Sequence, residues 1–421
     1  MKKCVLPLIS TISCIVIFAR GESFAASEPR IRVLVSQGKE LHFRADKSRP
    51  LIIRGINSTG KSIKSFKVNV VNGQLRYSTN KDFSKWRYLS KNRQIRITTR
   101  DSRGVWLGQR RFGGELRLLE RDNSIYVINY LKIEKYLKSV VGSEMPKDWP
   151  LEALKAQAVA ARTYALHQLK KRSDYDVDSS VSSQVYLGVE AETNRTVQAV
   201  NSTRSLVMLH KGRLIDAVFH SSSGGQTESS NEVWGKYRPY LISVRDYDQI
   251  SPSYKWEKKI EQKKLAQIFK QIGGFNTIRI TQKTNTDRIS SAKVYGPKGV
   301  KTISGKELRS LLDLKSTLVS FQLIPDHLER NLGKNRAYSY EEDINSADKK
   351  FLIESSRENI LIDQLPQIKD NNFLLVKGSG SGHGAGLSQW GAKNMADRGA
   401  SFRKILRHFY RGVKITAFRE N

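Results

Sequence analysis

One acidic side chain, Glu144, has a setting suited to proton transfer. It lies in Lys132–Leu169, KIEKYLKSVVGSEMPKDWPLEALKAQAVAARTYALHQL. Ile133, Tyr136, Leu137, Val140 and Val141 recur at helical spacing, so a first helix is expected over this stretch. Pro146 disfavours helix at Met145 and should stop it near Gly142 or Ser143. A second helix is expected from about Asp148 and Pro150, with Asp148 as cap and Pro150 in its first turn. Leu151, Leu154, Ala158, Ala161 and Ala165 give that helix a stripe of small side chains, so it should be internal. A carboxylate between two packed helices is held rigidly, as an acid catalyst must be. The alternative is that Glu144 only accepts a hydrogen bond from the amino end of the second helix.

Arg162 lies inside the second helix among alanines, and a cation in so small a setting needs a carboxylate. That partner is Glu144, a ligand carboxylate, or another acid in a structural ion pair. Two glycine-rich runs add further groups. Residues 378–391 read GSGSGHGAGLSQWG, with alternating glycines around His383, and end in a pattern that opens a helix at Leu387–Trp390. His383, Gln389 and Trp390 either face a ligand or shape a turn. Residues 219–227 read FHSSSGGQT and place His220, Ser221, Ser222 and Ser223 before a Gly-Gly turn. A serine nucleophile with His220 or His383 as base has no GxSxG support and no identifiable acidic partner, so recognition of hydroxyl or amide groups is preferred. Gln184 and Tyr186, in SSQVYLG, suit the gripping of sugar rings.

The seven histidines form no HExxH or Cys/His cluster, so no metal and no cofactor are expected. The only cysteines, Cys4 and Cys14, fall in a leader: Lys2 and Lys3, an apolar stretch to Ala19, then Ser23-Phe24-Ala25 as a small-x-small site. Cleavage after Ala25 is expected, with an uncleaved anchor as the alternative and the only membrane contact. The 421 residues carry a net charge of +33, and loss of Lys2, Lys3, Arg20 and Glu22 leaves +31. A leader argues against nucleic acid, so the positive charge suits anionic wall polymers in the periplasm or cell wall. It is equally what a generally basic proteome would give. With 38% hydrophobic residues and a mean hydropathy of −0.49, the chain can bury a core without being membrane-embedded.

An α+β organisation is expected. Residues 30–114 read as a β-rich module, with Ile31, Val33 and Val35, then Phe66, Val68 and Val70, then Ile95 and Ile97 alternating with other residues. A hairpin over residues 116–128 turns at Asp122-Asn123. Residues 115–416 form a mixed helix and strand domain with an open cleft, interrupted by a polar insertion at 334–372.

These segments resemble the stage II sporulation protein D / amidase-enhancer (LytB) family of cell-wall proteins. The matching stretches are YLKSVVGSEMPKDWPLEALKAQAVAARTYAL, SSQVYLGVEAE, AVFHSSSGGQTES, ISGKELRSLLDLKS and SGHGAGLSQWGAKNMADRG, in family order over about 115–416. The resemblance implies a lytic transglycosylase that cuts peptidoglycan glycan strands, notably those stripped of stem peptides, with the glutamate of SEMP, here Glu144, as acid/base. Some members stimulate a partner amidase, and a non-catalytic amidase activator is the alternative function. Certain members carry a Cys/His metal cluster after the HSSSGG-like motif; this chain has Gln226, Asn231 and Glu232 there and no cysteine, so the metal is not carried across. The chemistry agrees on its own terms. An ordinary glycosidase needs two carboxylates, whereas formation of a 1,6-anhydro end needs one group that gives and then takes a proton. Glu144, with apolar Val140, Val141 and Met145 nearby, is the expected group.

Overall fold

The computed structural model describes residues 28–324 and 373–419, apart from 47–48, 57–61, 80–82, 90–93 and 171. The leader and the 334–372 stretch lie outside them. The described chain is α+β. Strands dominate residues 30–132, and all helices follow.

Two six-stranded sheets form the β-rich part. One runs 177–178, 30–38, 124–132, 115–121, 95–99, 51–54; the other runs 87–88, 74–78, 65–71, 40–44, 105–107, 110–112. The alternating apolar residues read from the sequence point inward. Ile31, Val33, Phe66, Val68, Ile95 and Ile97 are fully buried in one core. The hairpin at residues 115–132 turns where expected, and Asp122 and Asn123 both take left-handed φ (52° and 54°). That conformation matches the strand twist and is tolerated by exactly these two residue types better than by most. The boundary expected at 114/115 falls inside the first sheet, because strand 30–38 pairs with strand 124–132. The two regions therefore share one core, which extends to Tyr136, Val140 and Leu154.

Helices α1 (Ile133–Glu144) and α2 (Leu151–His167) follow directly. Glu144 is the last residue of α1 rather than part of the turn, and the helix stops at Met145 before Pro146. The second helix starts one residue later than expected. Pro150 occupies its N-cap position, no side chain caps it, and Asp148 is exposed. α2 is internal, as its alanines require: Ala153, Ala156, Ala158, Ala160, Ala161 and Ala165 are fully buried. It packs against α1, α3 (Asn194–Ser202), strand 206–210 and two C-terminal helices described below.

Arg162 occupies the centre of that packing and does not reach a cleft. Its Nε and a terminal nitrogen donate to the two oxygens of Glu134 at 2.9 and 2.8 Å, and its remaining bonds go to the carbonyls of Leu206 and Val200. Both side chains are almost wholly excluded from solvent. The sequence-based expectation of substrate contact is thus corrected to a structural ion pair joining α1 to α2. The paired fork geometry satisfies the guanidinium without Glu144.

The rest of the chain adds small sheets. Strands 256–261, 319–324 and 373–378 form one, and strands 277–283, 289–296 and 299–304 another. Short helices α4 (Ser230–Trp234), α5 (Gln262–Ile268) and α6 (Gly305–Leu311) lie between them. α7 (Gln389–Asp397), capped by Ser388, and α8 (Phe402–Phe409) pack back onto α2. Among the described residues no helix is long and apolar enough to cross a membrane.

Removing one member of a buried pair leaves a lone charge in the core. Arg162→Met is expected to lower unfolding free energy by about 3–5 kcal/mol, and the double variant Arg162→Met/Glu134→Leu to recover much of that loss. Urea unfolding of the three proteins measures it.

Candidate active site

The two glycine-rich runs lie side by side. Ser222 and Ser381 exchange backbone hydrogen bonds (3.1 and 2.7 Å), and strand 219–220 pairs in parallel with strand 387–388. The Trp390 amide donates to the Ser221 carbonyl, and the Glu228 amide to that of Gly384. Glycine is required at Gly382: its φ is +111°, and a Cβ there would stand 2.7 Å from that of His220. This approach brings His220 and His383, 163 residues apart in sequence, to a ring separation of 5.5 Å.

The histidines and the end of α1 line one groove of 620 Å³. That volume lies in the range of about 300–1,000 Å³ typical of small-molecule sites. Glu144, Tyr164, Ser182, Ser183 and Val185 line it together with Trp234, Arg238, Arg309, His383 and Gln389. His220, Ser221 and Asp216 also line it.

Glu144 is half-buried. Its Oε1 accepts from the Val185 amide at 2.7 Å, and its Oε2 accepts from the Gln389 side-chain amide at a long 3.4 Å. Ser143 Oγ accepts from the Leu187 amide, so the extended segment 183–187 fastens the end of α1 at two points. Burial raises the Glu144 carboxyl above its ordinary value; the Val185 and Gln389 donors oppose this without cancelling it. No cation pairs with Glu144 among the described residues.

His383 accepts at Nδ1 from the Ala385 amide (3.1 Å) and therefore donates from Nε2 to the Phe219 carbonyl (3.0 Å). Burial pushes it down to about 4, with the Arg309 and Arg288 charges acting in the same direction. His220 donates from Nδ1 to the Ala385 carbonyl, which leaves Nε2 as a bare acceptor with no partner among the described residues. Burial holds His220 far below its ordinary value too. Both rings are neutral at pH 7.

Of the residues expected to contact substrate, Glu144, His220, Ser221, His383 and Gln389 line the groove, and six do not. Arg162 is in the core ion pair. Gln184 is fully buried, accepting from the Tyr136 hydroxyl and donating to the Ala161 carbonyl. Tyr186 is buried against Tyr136 and Phe112, its hydroxyl donating to Asn129. Their neighbours Ser183 and Val185 face the groove instead. Ser222 and Ser223 are buried and donate to Asp248 and Asp246, so neither is a nucleophile. Trp390 packs edge-on against Trp149, with ring centres 4.7 Å apart. Neither His220 nor His383 bonds to a serine hydroxyl, and among the described residues no group of His, Cys, Asp and Glu could hold a metal ion.

Sequence reasoning missed Trp234, Arg309 and the Arg238–Asp216 ion pair (2.9 Å) in the groove, and the acids beneath it. Trp234 is 41% exposed, an indole face on the groove, and stacks near His383 and Arg238. Below the loops, Asp248 accepts from the Gly224 and Gly225 amides, and Asp246 from the Ser223 hydroxyl and Tyr247 amide. α7 rests on Asp246 so closely that a Cβ at Gly391 would lie 1.8 Å from its Oδ1. The FHSSSGGQT motif is thus largely a scaffold.

The groove thus brings together a carboxyl raised by burial, an ion-paired Asp216, an exposed indole and several polar loops. Known proteins similar to the chain give its family. A family model described as stage II sporulation protein matches residues 121–210, which include α1 and α2. An uncharacterised protein of Brachyspira hyodysenteriae is 31% identical over 321 residues, covering 75% of each chain. The amidase enhancer of Bacillus subtilis is 30% identical over 303 residues, 67% of this chain but 40% of that protein. Stage II sporulation protein D of Bacillus subtilis is 27% identical over 309 residues, 69% of this chain and 76% of that one. The chain belongs to the stage II sporulation protein D / amidase-enhancer family.

The buried Asp246 carries a testable signature. Burial, and then the neighbouring Asp248, push it up to about 6 from 3.8, so the folded protein keeps a proton that the unfolded chain releases. Stability from this group is therefore complete below about pH 4 and is lost as pH rises to about 6. Relative to Asp246→Asn, the wild type is expected to lose stability across that window and then level off, as read from urea midpoints between pH 4 and 7.

Proposed function

We propose that this protein is an exported lytic transglycosylase that cleaves the bond between N-acetylmuramic acid and N-acetylglucosamine in peptidoglycan, with Glu144 as its acid and base. The observation that carries this reading is a half-buried carboxylate, raised in pKa, unpaired with any cation among the described residues and open to a groove of 620 Å³. The Val185 amide engages Oε1, which leaves Oε2 as the oxygen that holds the proton. Oε2 gives that proton to the glycosidic oxygen as the C1–O bond breaks. The resulting carboxylate takes the proton of the muramic C6 hydroxyl, whose oxygen bonds to C1. The product is a 1,6-anhydro end, no water is consumed, and Glu144 is again protonated. The second carboxylate in the groove, Asp216, is ion-paired with Arg238, and the mechanism leaves it there. Trp234 offers a face for a sugar ring, and His220 Nε2 can accept from a saccharide hydroxyl or acetamido N–H.

A second reading is favoured by the relative named amidase enhancer. In it the same groove binds glycan without turnover, and the protein stimulates a cell-wall amidase.

Glu144→Gln is expected to reduce anhydro-end formation on purified peptide-free glycan by at least about a hundredfold, the usual contribution of a positioned acid. Mass spectrometry reads the ends. A wild type that makes none, yet speeds peptide release by an added amidase, would select the second reading.

The basic limb of the pH–rate profile should lie above the ordinary carboxyl range, because Glu144 must be protonated to act. Gln389→Ala removes a donor that stabilises the carboxylate, so that limb should move to higher pH. Initial rates between pH 4 and 8 test the direction.

A further inference from the structure

Three guanidinium groups lie in or beside the groove, and two of the cations have obvious employment. Arg238 is paired with Asp216. Arg288 is buried behind the loops and donates to the Ser223 carbonyl. Arg309 differs. It lies on α6, lines the groove and is only half-exposed. Its Nε donates to the Leu314 carbonyl at 3.2 Å, which fixes the plane of the guanidinium. No carboxylate pairs with it among the described residues. Its charge is felt at His383 beside it, and burial alone, with no anion to offset it, weakens its hold on a proton. A partly desolvated cation without a counter-charge costs free energy that an anionic ligand in the groove would recover.

We infer that Arg309 is a specificity-determining residue that binds a carboxylate of the bound glycan, namely the lactyl carboxylate of a muramic acid that carries no stem peptide. This rests on the groove being a glycan site. The chemistry singles out that group. In a peptide-bearing strand the lactyl carbonyl is an amide and carries no charge; without the peptide it is a free carboxylate on the ring. A guanidinium fixed at Nε presents its two terminal nitrogens to a planar anion. The stem peptide supplies carboxylates as well, so the two sources must be separated by experiment.

The test compares binding of three strands to Glu144→Gln protein: peptide-free glycan, the same glycan with its lactyl carboxylates converted to methylamides, and peptide-bearing glycan. The peptide-free strand should bind about tenfold tighter than the methylamide, and adding Arg309→Gln should bring the two within about twofold. Arg309→Lys, which keeps the charge, should retain part of the preference and guards against a folding defect in the glutamine variant. Equal binding of the first two strands, or a preference that survives Arg309→Gln, overturns the inference. So does a loss in Arg309→Gln confined to the peptide-bearing strand, which would give the guanidinium to stem-peptide carboxylates. Anhydro ends made by wild type are scored separately. If none form while the carboxylate preference stands, the catalytic reading fails and this one does not.

Discussion

An arginine with no exposure must carry its counter-charge with it, and the arrangement of α1 and α2 follows from that requirement. Arg162 is surrounded by alanines because α2 is packed on all sides, and small side chains are what let neighbouring backbone come close. Its forked pairing with Glu134 ties the first turn of α1 to the middle of α2. With the start of α1 fixed there, and its body buried through Tyr136, Leu137, Val140 and Val141, its last residue has little freedom. Glu144 stands at that end. The ion pair therefore acts on the groove at a distance, by positioning a helix whose far terminus lines it.

The environment of Glu144 is a balance of opposed effects. Burial favours the neutral acid, and each donated hydrogen bond favours the carboxylate. Had Arg162 reached it, the pairing would have dominated, and a carboxyl next to a guanidinium is ionised well below neutral pH. Glu134 removes that possibility by occupying Arg162 fully. One short bond from Val185 and one long bond from Gln389 remain, and they orient the group without cancelling the upward shift that burial gives it. A helix end, a buried ion pair elsewhere and an extended segment thus combine to hold this carboxyl above its ordinary value.

Much of this was legible in the sequence, and the failures have physical causes. The α1 periodicity, the stop before Pro146, the inward strand residues and the Asp122-Asn123 turn rest on local rules that tertiary packing did not override. Glu144 was found because it sits where two such local signals meet. Gln184 and Tyr186 were placed on the wrong face for a specific reason. In an extended segment side chains alternate, and here the more apolar row, Ser183, Val185 and Leu187, is the partly exposed one while Gln184 and Tyr186 are buried, so polarity along the segment points to the wrong face. Only the Tyr136 and Asn129 partners decide it. Ser222 and Ser223 were misjudged because their acids, Asp246 and Asp248, are over twenty residues away with no motif linking them. Arg309 and Trp234 sit on short helices with ordinary composition, and their convergence on the groove is purely tertiary.

The charged groups of the groove differ in how they are compensated, and that difference bears on the proposed chemistry. At an effective dielectric of about 20, a cation about 4 Å from a carboxylate is worth about 4 kcal/mol, about three pKa units, so an acid that must stay protonated cannot share its end of a site with a free guanidinium. An anionic sugar substituent, conversely, needs one. In the proposed reading both demands are met, because pairing or burial compensates the other cationic groups in and under the groove and leaves one uncompensated. Arg162 is quenched by Glu134, Arg238 by Asp216, and both histidines stay neutral through burial. Arg309 is what remains among the described groove residues. The net charge of +33 on the whole chain differs in kind from this local one: charge on an exposed surface is screened within about 8–10 Å at physiological salt and attracts polyanions without choosing among them, whereas the proposal asks a single half-buried guanidinium to choose.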